Sequence, residues 1–191
     1  MLHYKDQQLV EGKEMGDFEY IKGRGLLARM VLPNTRRLRF VNAMRYCKPG
    51  ASHLDIGCGD GYFLRRSPCK EAIGIDMRLG DAAVDSAHPL PFGDNRFDLV
   101  TMLAVLEHLT EPEAVIRDIA RVLRPGGRLV LTTPKRAADR LIRLYVKDLD
   151  DEHETYFDEA SMKKLVEGAL EPVGYHSFLL GLNQAFAAEK P

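Results

Sequence analysis

The chain has 191 residues with 27 Lys+Arg against 28 Asp+Glu, a formal net charge of −1 that provides no global basic field for nucleic acid. At 45% hydrophobic and 29% charged, it has the composition of one ordinary globular domain, long enough to bury a sizeable core. No apolar run reaches the roughly 20 residues of a membrane-spanning helix. The N-terminus MLHYKDQQLVEGKE is unlike a signal peptide, and Cys47, Cys58 and Cys69 form no C-x-x-C pair, which argues against structural zinc and suits a reducing cytoplasm.

Residues 1–19 are polar and are expected to be ordered only where they touch the body. Residues 20–31 are weakly helical, interrupted by Gly23 and Gly25, and Pro33 is placed to start the next helix at its first position. Leu38, Val41 and Met44 follow at helical spacing, and Arg36, Arg37, Arg39 and Arg45 fill the other faces as solvated charge. Pro49-Gly50 ends that helix. Strands and helices then alternate: a strand at 52–56, a helix at 61–67, a strand at 72–76, a short third strand near 82–85 and a fourth at 97–103. A helix over 111–122 leads to a fifth strand at 128–133, set up by Pro125-Gly126-Gly127. A helix at 137–146, an acidic loop, a helix at 158–170 and a closing antiparallel pair at 175–181 and 183–188 complete the chain. The alternation predicts an α/β fold: a doubly wound, mostly parallel seven-stranded sheet with an antiparallel last strand. Residues 1–49 form an N-terminal helical extension or lid, and 50–191 the ligand-binding domain.

The segment LDIGCGDGYFL, residues 54–64, carries the most chemistry. An apolar run breaks into a turn with alternating Gly57, Gly59 and Gly61, then enters a helix-like YFL. Such a unit brings backbone N–H groups close to a ligand with no Cβ in the way. Asp55 puts a carboxylate in the same place, which suits a cationic ligand group better than a phosphate. Asp76 ends the second strand 19 residues after Gly57, where an acid can accept both hydroxyls of a ribose. A dinucleotide G-x-G-x-x-G reading fails at Tyr62, where the third glycine would stand.

Together with GIDM, LPFGDNRFDLVTMLAVLEHL, IARVLRPGGRLVLTTP and HETYFDEASMKKLVEGALEPVGY, in that order over roughly residues 50–180, this segment resembles the class I S-adenosylmethionine-dependent methyltransferases. The likeness is to the branch typified by small-molecule methyltransferases of the ubiquinone/menaquinone type, which implies a Rossmann-like fold. The resemblance implies S-adenosyl-L-methionine as cofactor, released as S-adenosyl-L-homocysteine. It implies that Asp55 holds the methionine amino group, that Gly57, Cys58, Gly59 and Gly61 let the backbone approach, and that Asp76 binds the ribose. Met77 would pack on adenine, Asp85 and Ser86 would meet the adenine amine, and Leu103 and Ala104 would line the methionine arm. One departure stands out. Only MRLGDA separates Asp76 from Ala83-Val84, too little for a parallel crossover, so the helix between strands 2 and 3 is expected to be missing or reduced to one turn.

Methyl transfer is an in-line displacement in which the protein aligns and desolvates, with a base required only for a protonated nucleophile. Base candidates are His153, in the acidic loop KDLDDEHETYF, then His108 and Tyr156; Glu107 and His108 in VLEHL by default cap and pack the next helix. His3, His53, His88 and His176 show no partner pattern. The segment after strand 4 lacks the Asn/Asp-Pro-Pro-aromatic motif of base-methylating enzymes, and no Pro-Cys stands there, so DNA is not an expected partner. The expected partner is a small-molecule acceptor attacking through O, N or C; a tRNA or protein acceptor, a homodimer, and a non-catalytic cofactor-binding module of the same fold stay open as alternatives.

Overall fold

The computed structural model describes residues 2–5, 8–9, 26–76, 89–138 and 155–191. Its central strand β3 (Ser52–Ile56) is buried along its whole length and pairs in parallel with β4 (Glu71–Ile75) on one side and β5 (Phe97–Leu103) on the other. Beyond β5 lies β6 (Leu123–Pro134), also parallel. The hairpin β7 (Glu171–Phe178) and β8 (Asn183–Glu189) inserts β8 antiparallel against β6, with β7 outside it. At the opposite edge β1 (Leu2–Lys5) runs antiparallel to β4 and is followed by β2 (Gln8–Leu9). Among the described residues the order is β2-β1-β4-β3-β5-β6-β8-β7, an eight-stranded sheet in which the N-terminal pair β1 and β2 lies at the edge beside β4. The expected strand at 82–85 and the shortened 77–82 connection lie outside the described residues, as does the helix at 137–146 beyond residue 138.

Strand alternation sends side chains to two cores. Leu54, Ile56, Val100, Met102, Leu129 and Leu131 face a layer made by α2 (Pro112–Val122) and α3 (Glu159–Val166). The α2 stripe Val115, Ile116, Ile119 and Val122 is fully buried there, worth about 1.5–3 kcal/mol per side chain. Leu99, Leu103, Val130 and Ala187 face the other way, against Ala43, Phe40 and Met44 of α1 (Leu26–Met44). His53, Asp55 and Thr101 fall on this second face by the same parity.

Several boundaries differ from the sequence reading for identifiable reasons. α1 is one helix running through Pro33 rather than two, leaving the Arg29 carbonyl without its helical donor. The helix expected at 61–67 is a turn followed by a single 3₁₀ turn, Leu64–Arg66; Pro68 forces Ser67 into extended backbone (ψ 129°) and stops it. The strand expected at 175–181 starts at Glu171 and stops at Phe178, because Leu179, Leu180 and Gly181 all take positive φ. α3 begins where expected, with Asp158 and Ser161 forming a reciprocal capping box, and ends before Gly168 at φ +78°. No helix among the described residues is long and apolar enough to cross a membrane.

Candidate active site

β3 is the point from which the chain turns first to β4 and later to β5, and in open α/β sheets ligands bind outside the carboxyl ends of the strands at such a point. The glycine turn leaves β3 here. The Gly57 and Cys58 amides both donate to the Ile75 carbonyl, at 2.8 and 3.2 Å, tying the turn to the end of β4. Gly57, Gly59 and Gly61 all adopt positive φ, of 75°, 54° and 76°. A Cβ at Gly57 would collide with Val105 Cγ2, whereas one at Gly59 would meet nothing within 4 Å. Gly57 thus serves close packing, and Gly59 faces open space.

Two carboxylates flank this turn. The Gly59 amide donates to Asp76 Oδ2 at 2.7 Å, which fixes the ribose-binding candidate to the turn itself. Asp55 is 1% exposed; Thr101 Oγ1 donates to its Oδ1 at 2.6 Å, while its Oδ2 is buried without a hydrogen-bond partner. Burial pushes the Asp55 carboxyl up to about 7; the Thr101 hydroxyl pulls it down and the Asp76 charge adds to the rise. A buried oxygen left without a donor costs free energy until a donor reaches it. The amino group of an amino-acid ligand is such a donor, and the residues present fit it.

The α1 face holds the turn from outside. Arg36 pairs with Asp60, and Phe40 stacks on Phe63 with ring centroids 5.7 Å apart. The Tyr62 ring, standing where a dinucleotide fold needs glycine, has the Arg36 and Arg66 guanidinium carbons 4.0 and 3.9 Å from its centroid. On the β5 side, Ala104 takes φ 61°, a conformation rare outside glycine, and its amide donates to the Thr132 carbonyl at 2.8 Å. That bend releases the chain from the sheet, lays Val105 against Gly57 and opens the 3₁₀ turn Leu106–His108.

The structure brings Asp55, Gly57, Cys58, Gly59, Gly61, Asp76, Leu103 and Ala104 to one end of the sheet, where the sequence reading placed them. Met77, Asp85, Ser86 and His153 lie outside the described residues. His108 is exposed on the 3₁₀ turn, and Tyr156 is half-buried with the Arg136 guanidinium carbon 5.4 Å from its ring centroid.

Glu107 stands out more than the sequence suggested. It is 1% exposed, and both its carboxylate oxygens are buried without a hydrogen-bond partner. Burial raises its pKa, opposed by its own backbone amide, Arg39 and His108. Arg39 itself donates to Asn183 Oδ1, through Nη2 at 3.1 Å. The LEH pattern alone signals a helix entry; only the three-dimensional burial separates Glu107 from an ordinary cap. His53 was also passed over: it is fully buried and hydrogen-bonded at both ring nitrogens.

Comparison with known proteins places this geometry. A family model described as a methyltransferase domain matches residues 29–169. The chain is 27% identical to the ubiquinone biosynthesis O-methyltransferase of Vibrio parahaemolyticus, over 84% of this chain and 82% of that protein. Among solved structures it resembles a chain determined in complex with the Trm112 methyltransferase activator of Haloferax volcanii, with 16% identity, a TM-score of 0.67, and coverage of 94% and 100%. It also resembles the N-methyltransferase NodS of Bradyrhizobium japonicum, with 22% identity, a TM-score of 0.61, and coverage of 83% and 97%. At these identities the structural likenesses establish the fold alone.

Proposed function

The chain belongs to the methyltransferase-domain family as an S-adenosylmethionine-dependent enzyme of the class I fold, and on that premise we propose that it methylates a small molecule whose nucleophile arrives as an O–H or N–H. S-adenosylmethionine, when bound, supplies the electrophilic methyl group. In this reading Asp55 Oδ2 accepts from the amino-acid ammonium, Asp76 accepts from the ribose hydroxyls, and Gly59 leaves room for the ligand. Val105, packed on Gly57, keeps water from the back of the turn.

Glu107 receives the acceptor proton as the nucleophile attacks. The observation that carries this is its buried carboxylate with two unsatisfied oxygens, one short turn beyond Ala104. A carboxylate held in such surroundings has a raised proton affinity, which favours taking up a proton from an attacking O–H or N–H. His108, exposed to water, lacks that desolvation. The likeness to an O-methylating relative favours a hydroxyl acceptor.

The test is turnover across a panel of phenolic, enolic and amine acceptors, followed by release of S-adenosylhomocysteine. Glu107→Gln is expected to lower kcat about 10²–10⁴-fold with cofactor affinity unchanged. Full activity in that variant would remove Glu107 from the chemistry. Cofactor binding without turnover on any acceptor would favour a non-catalytic binding module instead.

A further inference from the structure

Four buried groups form a line on the α1 side of the sheet, and every link is of hydrogen-bond length. The Cys69 amide donates to Ser67 Oγ at 3.3 Å, Ser67 Oγ lies 3.1 Å from His53 Nδ1, and His53 Nε2 lies 2.8 Å from Thr101 Oγ1. Thr101 Oγ1 in turn lies 2.6 Å from Asp55 Oδ1. His53 and Thr101 are fully buried, and Ser67 and Asp55 nearly so. Strand parity explains the line: Asp55 pairs with Thr101 across β3 and β5, and His53 precedes Asp55 by two, so all three side chains share one face.

Counting protons fixes the direction of the chain. A carboxylate only accepts, so Thr101 must give its single hydroxyl proton to Asp55. Thr101 oxygen then accepts, and His53 must carry its proton on Nε2. Nδ1 is thereby an acceptor, the Ser67 hydroxyl donates to it, and Ser67 oxygen takes the Cys69 N–H. No group is left with two donors facing or two acceptors facing. If Asp55 instead held a proton on Oδ1, each hydroxyl and the ring would have to reverse, putting the histidine proton on Nδ1. Among the described residues Asp76 is the charged group that bears on Asp55, and none bears on His53, which burial keeps neutral.

We propose that His53 is a positioning residue for cofactor binding: its Nε2–H tautomer, set between Ser67 and Thr101, locks the Thr101 hydroxyl onto Asp55 Oδ1 and reserves Oδ2 for the ligand's ammonium. The imidazole tautomer reports whether Asp55 Oδ1 accepts from Thr101, through two intervening hydrogen bonds and without touching the ligand. This rests on the cofactor reading above, which the same experiment tests separately.

The experiment uses the intact protein. Long-range ¹⁵N–¹H NMR of the imidazole, with S-adenosylhomocysteine bound, is expected to show His53 neutral with the proton on Nε2. In parallel, calorimetry compares S-adenosylhomocysteine with 5′-methylthioadenosine, which lacks the amino-acid arm. Thr101→Val and His53→Phe, which remove the hydroxyl and the ring donor, are expected to weaken S-adenosylhomocysteine about ten- to a hundred-fold, the scale of a hydrogen bond to a charged group. Both should leave 5′-methylthioadenosine unaffected, and Thr101→Ser should restore binding. An Nδ1–H tautomer in the complex, or equal losses for both ligands, would overturn the proposal while leaving the cofactor site intact. Wild-type protein that binds no S-adenosylhomocysteine would remove the cofactor reading and the proposal together.

Discussion

Replacing Asp55 by asparagine should stabilise the protein while costing it cofactor affinity, and the stabilisation should depend on pH in a defined way. Burial raises the folded-state pKa of Asp55 to about 7 from an ordinary value of 3.8. The folded protein therefore holds a proton on Asp55 that the unfolded chain has already released. Stability from this group is fully present below the unfolded value and is lost as pH rises through the folded one. Each pH unit in that window is worth about 1.4 kcal/mol. Relative to Asp55→Asn, wild-type stability should fall by about 2–3 kcal/mol between pH 5 and 7 and then level off. For a chain of this size that corresponds to a gap in Tm growing by roughly 4–12 °C. Asparagine keeps an acceptor for the Thr101 hydroxyl, and its amide adds an offset that does not vary with pH. Urea unfolding of both proteins at half-unit pH intervals, without ligand, measures the difference directly, since every other titrating group cancels. Parallel profiles from pH 5 to 8 would refute the placement of Asp55 as a desolvated, half-satisfied carboxylate.

The same linkage predicts that S-adenosylhomocysteine affinity rises up to tenfold per unit from pH 5.5 to about 7 and then flattens, because an ammonium needs the ionised carboxylate; calorimetry giving a flat profile would contradict it. Gly57→Ala should cost about 2–5 kcal/mol from left-handed backbone plus overlap with Val105. Adding Val105→Ala should recover the overlap part, and thermal unfolding of the two variants reads both terms. Gly74→Ala in β4 should destabilise by about 1–3 kcal/mol, since its Cβ would meet Leu64 and the Cys58 sulfur, the latter at 2.6 Å; an unchanged Tm would show that the glycine turn packs less tightly on β4 than described.

The elements that local pattern specifies were legible in the sequence. Asp55, the three turn glycines and Asp76 sit on one strand–turn–strand unit, so spacing alone places them. The α2 stripe follows from helical periodicity and a proline at its first turn. What escaped depends on partners distant in the chain. The edge position of β1 is set by pairing with β4, some 70 residues away, and no local motif encodes it. His53 had no visible partner because Ser67 is 14 and Thr101 is 48 residues away. Strand alternation placed His53 on the Asp55 face, but only the β3–β5 register aligned Thr101 with both. Glu107 looked like a cap because its burial leaves no trace in VLEHL. Pro33 misled in the opposite direction, since a helix that packs on a sheet can tolerate one lost hydrogen bond.

Calorimetric titration of the intact protein with S-adenosylhomocysteine and with NAD, side by side, tests the central claim most directly. Saturable one-to-one binding of S-adenosylhomocysteine, abolished or strongly weakened by Asp55→Asn, with no heat from NAD, is the expected result. NAD binding with indifference to S-adenosylhomocysteine would contradict it.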